Sequence, residues 1–292
     1  MSSQIRYVVL DFDGTCTQID LMYQGFLAAY LVELQHANPD GKPTNAAWRD
    51  ALDRVRAASP KAGWSPTGGL PAAPAAADPY IHAGEAAALL KREDDKLVLP
   101  TTAFSNAYKD HKADWRTEVV DVLEALVGRD LHVGFISNSK TEGINARLDG
   151  LLAGKPALRK AIQVRGNAMK FEIQPVPPTS GLAANHLAEW NRVPEIDPDG
   201  ASALGRPIYL RRGSYFEAIC NLWSDFGEHG FPIAETIFCG DIWELDLALP
   251  RALGAPVHLV RRAPPYQTYD YELARTAPAH QSDDLRGLLA RL

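Results

Sequence analysis

Three stretches of this 292-residue sequence predict an α/β fold, a three-layer core on a parallel sheet with a mostly helical second domain inserted near its start. Ile5, Tyr7, Val8, Val9 and Leu10 make an apolar run that ends in Asp11-Phe12-Asp13-Gly14-Thr15. Residues 131–136 run into Ser137-Asn138, and residues 236–239 run into Gly240-Asp241, with Asp246 five positions on. Short apolar runs of this kind read as buried strands. In an open α/β sheet, ligands bind beyond the carboxyl ends of the strands, and all three runs place their polar residues there.

The first motif has its own local logic. Alternate residues of an extended chain share a face, so Asp11 and Asp13 leave the strand on the same side. Gly14 permits the tight turn that lifts the chain off the sheet. Beyond Thr15, Ile19, Tyr23, Phe26, Leu27, Tyr30, Leu31 and Leu34 recur at helical spacing, as do Trp48, Leu52 and Val55. Residues 64–80, rich in Pro, Gly and Ala, read as a loop or mobile connection, and helical character resumes near residues 85–91. The insertion therefore spans 18–112. The core comprises 1–17 and 113–292, including an excursion at 174–206 and a C-terminal tail. Within it, a helical stripe from Trp115 to Leu126 precedes the second strand. A helix over 141–152, a strand over 161–164, a polar, Pro-rich loop over 175–205, a strand over 207–210, a helix carrying Tyr215 to Trp223 and a final strand over 256–260 complete it.

Composition narrows the function. Hydrophobic residues make up 46% and the net charge is -6, the balance of an ordinary globular protein. That charge opposes a general nucleic-acid role, which needs clustered positive charge. No apolar run approaches the ~20 residues that span a bilayer, and no signal peptide opens the chain, so a soluble cytoplasmic protein with no membrane partner is expected. Cys16, Cys220 and Cys239 fit neither a disulfide framework nor a zinc site; Cys239, in a predicted buried strand, reads as a small core residue, and Cys16 follows the first motif, where a reactive role is conceivable. Nothing near Cys16 favours a thiolate.

The order and placement of the three motifs, Asp11-Phe12-Asp13-Gly14-Thr15, Ser137-Asn138 and Gly240-Asp241 through Asp246, resemble the haloacid dehalogenase-like (HAD) hydrolase superfamily. The resemblance implies a Rossmann-like core, and it makes the insertion at 18–112 a C1 cap that closes over the site and selects the substrate. Closure of that kind excludes water and completes a site. It also implies Mg²⁺, held by the Asp11 and Asp241 carboxylates and the Asp13 carbonyl, with Asp246 acting through water or on the inner ligands. An oxygen-rich set with one or two carboxylates suits Mg²⁺.

By the same resemblance, Asp11 attacks phosphorus to form an aspartyl-phosphate, while Asp13 protonates the leaving oxygen and then deprotonates water. Thr15 holds the loop or contacts Asp13. Ser137 and Asn138 hold phosphoryl oxygens, although the same residue types also cap helices. The sequence departs from the family pattern at the third motif, where a cation, usually Lys, precedes the helix leading to the fourth. Lys170 and Arg211 are equal candidates and Arg212 is the third. If residues 170–173 and 208–211 pair as strands, Lys170 and Arg211 meet at the base of the excursion.

Dehalogenating members of the superfamily lack the second acid, so Asp13 favours phosphatase or phosphomutase chemistry. The expected activity is Mg²⁺-dependent hydrolysis of a small phosphorylated metabolite, a phosphoric monoester. The alternatives are phosphomutase-type transfer and an inactive binding protein on the same fold. Substrate identity and oligomeric state lie beyond the sequence.

Overall fold

The computed structural model describes residues 4–66, 69–174, 182–198 and 204–292. Its backbone divides into two units. The first comprises residues 1–17, 115–262 and 268–292, and the second 18–114 together with 263–267.

Eight strands are present among the described residues: β1 (Tyr7–Leu10), β2 (Gly63–Trp64), β3 (Ala73–Pro74), β4 (His132–Ile136), β5 (Ile162–Arg165), β6 (Thr236–Gly240), β7 (Val257–Val260) and β8 (Gln281–Ser282). Six form one parallel sheet in the order β5-β4-β1-β6-β7-β8. The apolar runs are continuous because both faces of this sheet are buried. Tyr7 and Val9 enter one core with Phe238, Val257 and Leu259, packed against the helix Gly213–Asp225. Val8 and Leu10 enter the other with Val133, Phe135, Ile237 and Cys239, against the helix Val119–Val127. The period of two thus sorts each strand's side chains between two helical layers.

Register positions the site. Leu10 stands beside Phe135 on one side and Cys239 on the other. Asp11, Ser137 and Asp241 consequently leave the sheet within one residue of the same level.

The second unit is helical. Thr44 caps the helix Asn45–Ala58 by accepting from Ala47 N, and Asp78 caps Pro79–Glu93 by accepting from Ile81 N at 2.7 Å. Phe26, Leu31, Leu34, Trp48, Leu52, Ala83 and Ala87 form its core. The stretch around residues 64–80 departs from a plain loop. Gly63–Trp64 pairs with Ala73–Pro74, and Ala72, Ala73, Ala75, Ala76 and Ala77 are all buried, because small side chains let the backbone approach the helices closely. The segment 263–267 belongs to this unit too: Tyr266 lies edge-on to Tyr23 and sets its hydroxyl 3.0 Å from His82 Nδ1.

Two further expectations are revised. The predicted loop over 175–205 contains the helix Ala184–Arg192, whose Trp190 is fully buried; residues 175–181 and 199–203 lie outside the described residues. Residues 170–173 do not pair with 208–211 as strands: 170 and 171 lie in a turn, and Tyr209 bridges to Ile196. No described helix is long and apolar enough to cross a membrane.

Each unit buries a neutral histidine. His82 Nε2 lies 2.7 Å from Leu52 O, and burial pulls the ring down to about 4. Burial likewise pulls His258 down to about 4. An unfolded chain takes up these protons near pH 6.5, whereas the folded one resists until about 4. The stability these two rings contribute is therefore fully present above pH 6.5 and is lost as the pH falls. By pH 5 each histidine is expected to cost about 2 kcal/mol. The change in urea midpoint between pH 7.5 and 5, compared between wild type and His82→Gln or His258→Gln, checks this: each variant should lose less stability on acidification than wild type, and identical changes contradict it.

Candidate functional site

The strand ends bring together what the motifs separate by more than 200 residues. Asp11, Asp241 and Asp246 are all buried, and each places an oxygen within 4.8 Å of the others. Thr15 Oγ1 lies 3.1 Å from Asp11 Oδ2 and 3.0 Å from Asp241 Oδ1, so the hydroxyl links the first and fourth motifs. Gly14 takes φ +86°, and a Cβ there would lie 2.5 Å from Asp241 Oδ2. Only glycine turns the chain here without driving a side chain into that carboxylate.

A π-helical turn, Trp243–Leu247, carries Asp246. Such turns recur at functional sites because they re-aim a side chain. Asp246 Oδ2 accepts from Ile242 N at 2.9 Å, which closes the turn and aims Oδ1 at Lys170. Gly240 makes room, since a Cβ there would meet Asp246 Cβ at 2.3 Å.

Of the three candidate cations, Lys170 stands in the cluster. Its Nζ donates to Asp11 Oδ1 at 2.7 Å and to Asp246 Oδ1 at 2.9 Å, and it lies over the Tyr215 ring. The chain reaches this point through two left-handed residues, Asn167 and Met169. Such a conformation costs a side-chain-bearing residue about 1 kcal/mol, and it turns Lys170 back beneath the strand ends. Asn138 Oδ1 accepts from Lys170 N at 2.7 Å, and Arg212 Nη1 donates to Lys170 O at 2.5 Å. Arg212 thus holds the lysine's backbone from a fully buried position. Arg211 reaches elsewhere: its Nε donates to Val193 O at 2.9 Å, and its Nη1 lies 3.7 Å from Glu195.

Ser137 is buried at the end of β4, where its Oγ accepts from Ser139 N at 3.1 Å. Neither Ser137 nor Asn138 caps the following helix, Thr141–Leu151, whose N-cap position is Lys140. Ser139, absent from the sequence-based set, donates from Oγ to Asp13 Oδ2 at 2.5 Å. Its position directly after Ser137-Asn138 was the available signal. Tyr215 is a second addition, donating its hydroxyl to Asp246 O at 2.7 Å. Cys16 is fully buried and its thiol is pushed well up by desolvation, which suits a core residue.

The electrostatics are unbalanced toward negative charge. Burial, then the Asp246 charge, push the Asp11 carboxyl up to about 7 against the pull of Lys170. Burial and Asp246 likewise raise Asp241 well above the ordinary carboxylate range. Lys170 resists its own burial because Asp11 and Asp246 hold its proton. Asp241 Oδ2 is buried and has no hydrogen-bond partner among the described residues. An all-oxygen donor set with excess negative charge and an unpartnered carboxylate oxygen fits a hard divalent cation such as Mg²⁺.

No family model matches the chain, and no curated protein does. Solved structures do. The chain is similar to YfnB of Bacillus subtilis, described as a HAD-hydrolase bound to magnesium, at 10% identity and TM-score 0.52, over 99% of each chain. It is similar to a Clostridium difficile protein described as a phosphatase, at 13% identity and TM-score 0.52, over 99% of each chain. An L-2-haloacid dehalogenase matches less closely, at 14% identity and TM-score 0.43, over 98% of this chain and 99% of that one. At these identities the likeness speaks for fold alone, and with the sheet order and strand-end motifs already described, the chain has the fold of the haloacid dehalogenase-like hydrolases.

Proposed function

We propose that the protein is a Mg²⁺-dependent phosphatase acting on a small phosphomonoester through an aspartyl-phosphate at Asp11. The observation that carries this reading is the buried Asp11–Lys170–Asp246 arrangement beside Asp241, with Asp13 one turn away on the same loop. Asp11 and Asp241 would hold the ion, with Asp246 steering both the ion's surroundings and Lys170. The bound cation supplies charge neutralisation, which lets an anionic phosphoryl group approach a carboxylate.

Lys170 and Thr15 hold Asp11 Oδ1 and Oδ2 respectively, which fixes the carboxylate plane for attack. Attack by an Asp11 oxygen on phosphorus forms the acyl phosphate as the bond to the alcohol oxygen breaks. Asp13 delivers a proton to that oxygen and later takes one from the hydrolytic water. The Ser139 hydroxyl, donating to Asp13 Oδ2, fixes the carboxyl so that its second oxygen carries the proton. Ser137, with backbone amides at the end of β4, would hold the phosphoryl oxygens. Positioning and electrostatics of this kind dominate phosphoryl-transfer catalysis.

Asp13 favours this reading over dehalogenation, which has no leaving oxygen to protonate. The test is product analysis with an aryl phosphate, a panel of sugar phosphates and a 2-haloacid, each with Mg²⁺ and with a chelator. Free phosphate that appears only with Mg²⁺ supports the phosphatase. An isomerised sugar phosphate moves the assignment to a mutase, and halide release moves it to a dehalogenase.

A further inference from the structure

A second buried ion pair sits behind the fourth motif. Arg262, just beyond β7, and Glu272, in the helix Asp270–Arg275, are 6% and 0% exposed. The Arg262 Nη2 donates to Glu272 Oε2 at 2.5 Å and its Nη1 to Glu272 Oε1 at 3.2 Å. The same Nη1 donates to the carbonyl oxygen of Asp241. Glu272 in turn accepts from Trp243 N at 3.0 Å through Oε1 and from Tyr269 N at 2.9 Å through Oε2.

The pair therefore grips the peptide groups on both sides of Ile242. With Ile242 N given to the Asp246 carboxylate, the 241 carbonyl and the 242 and 243 amides are all committed. A buried ion pair adds little net stability to a fold, because desolvation offsets the attraction, and apolar residues of similar volume commonly replace one without loss. Here each partner spends hydrogen bonds on the loop that presents Asp241 and opens the π turn to Asp246. The guanidinium also places positive charge next to a cluster that has three carboxylates against one ammonium. The planar guanidinium suits this task, since it forks to Glu272 while reaching Asp241 O, which a single ammonium cannot do.

We infer that Arg262 and Glu272 are positioning residues for the metal site, clamping the Asp241–Trp243 backbone so that the Asp241 carboxylate is held ready for the cation. The inference rests on the metal reading under Proposed function. Groups that orient metal ligands typically contribute 10- to 100-fold to affinity.

The experiment measures the Kd for Mn²⁺ alone, by electron paramagnetic resonance of the free ion, alongside the metal-free melting temperature. The proteins are wild type, Arg262→Lys and the double variant Arg262→Met/Glu272→Leu. Arg262→Lys keeps the charge and the pairing with Glu272 but lacks the fork. The double variant fills the space with apolar atoms and leaves no unpaired buried charge. We expect both to stay folded without metal, the double variant melting lower because Asp241 O, Trp243 N and Tyr269 N lose their partners, and both to bind Mn²⁺ about 10- to 100-fold more weakly. Folded variants with the wild-type Kd overturn the proposal and leave the metal reading standing. A wild type that binds no Mn²⁺ overturns the metal reading, and this inference with it.

Discussion

Replacing Asp11 with Asn is expected to abolish phosphate release, by at least about 10⁴-fold, while leaving the protein at least as stable as wild type without metal. The first half follows from the assigned role, because losing the nucleophile of a covalent mechanism removes the step on which all the others depend. The second half follows from the geometry. Asp11 is buried and crowded by Asp246, so its charge is unfavourable where it sits. The Asn carbonyl can still accept from Lys170 Nζ, and one repulsion disappears. The stabilisation gained by adding Mg²⁺ should shrink together with the affinity. Paired assays of phosphate release and of melting temperature with and without Mg²⁺ read both halves. A variant that retains activity removes Asp11 as nucleophile. One that loses activity only because it unfolds shows that the carboxylate is structural.

Replacing Lys170 with Met has the opposite signature, a large loss of stability. Its ammonium pairs with Asp11 and Asp246 at 2.7 and 2.9 Å with 1% exposure. Removing one partner of such a buried pair leaves uncompensated charge, at a cost of about 3–5 kcal/mol. Phosphate release should fall by about 10²–10³-fold, the usual effect of deleting one preorganised donor at a site of developing charge. Added Mg²⁺ should restore part of the stability, since a cation among the carboxylates replaces some of the missing positive charge. Arg211→Ala is the contrast. Its guanidinium, 22% exposed, is directed to Val193 and Glu195 and away from the acids, so the change should cost about 1 kcal/mol, the worth of one such hydrogen bond. Urea midpoints and initial rates for the two variants decide which cation serves the site. Equal losses would reopen the choice.

The sheet and its motifs were legible because they are local. A strand of apolar residues ending in Asp11-Phe12-Asp13-Gly14-Thr15 states in a few consecutive positions both that it is buried and where it emerges. The same holds for Phe135-Ile136-Ser137 and Cys239-Gly240-Asp241. Parallel pairing then aligns the strand ends, so the membership of the carboxylate cluster could be read before the structure was known.

Three features were decided by tertiary structure alone. The choice of Lys170 over Arg211 depends on which side chain a folded turn points inward. That turn is set by left-handed Asn167 and Met169, conformations that residue type does not announce. Arg212, beside Arg211 in sequence, ends buried against the Lys170 carbonyl, a distinction that adjacent identical residues cannot reveal. The Arg262–Glu272 clamp joins the end of one strand to a later helix and then to Asp241, linking residues whose spacing follows no period. What the sequence by itself determined was the set of strand-end acids, because short-range burial and turn chemistry dictate where they emerge. Which cations answer those acids, and what holds the loop that presents Asp241 in place, only the tertiary structure decided, because charge pairing in a buried site depends on through-space distance and not on separation along the chain.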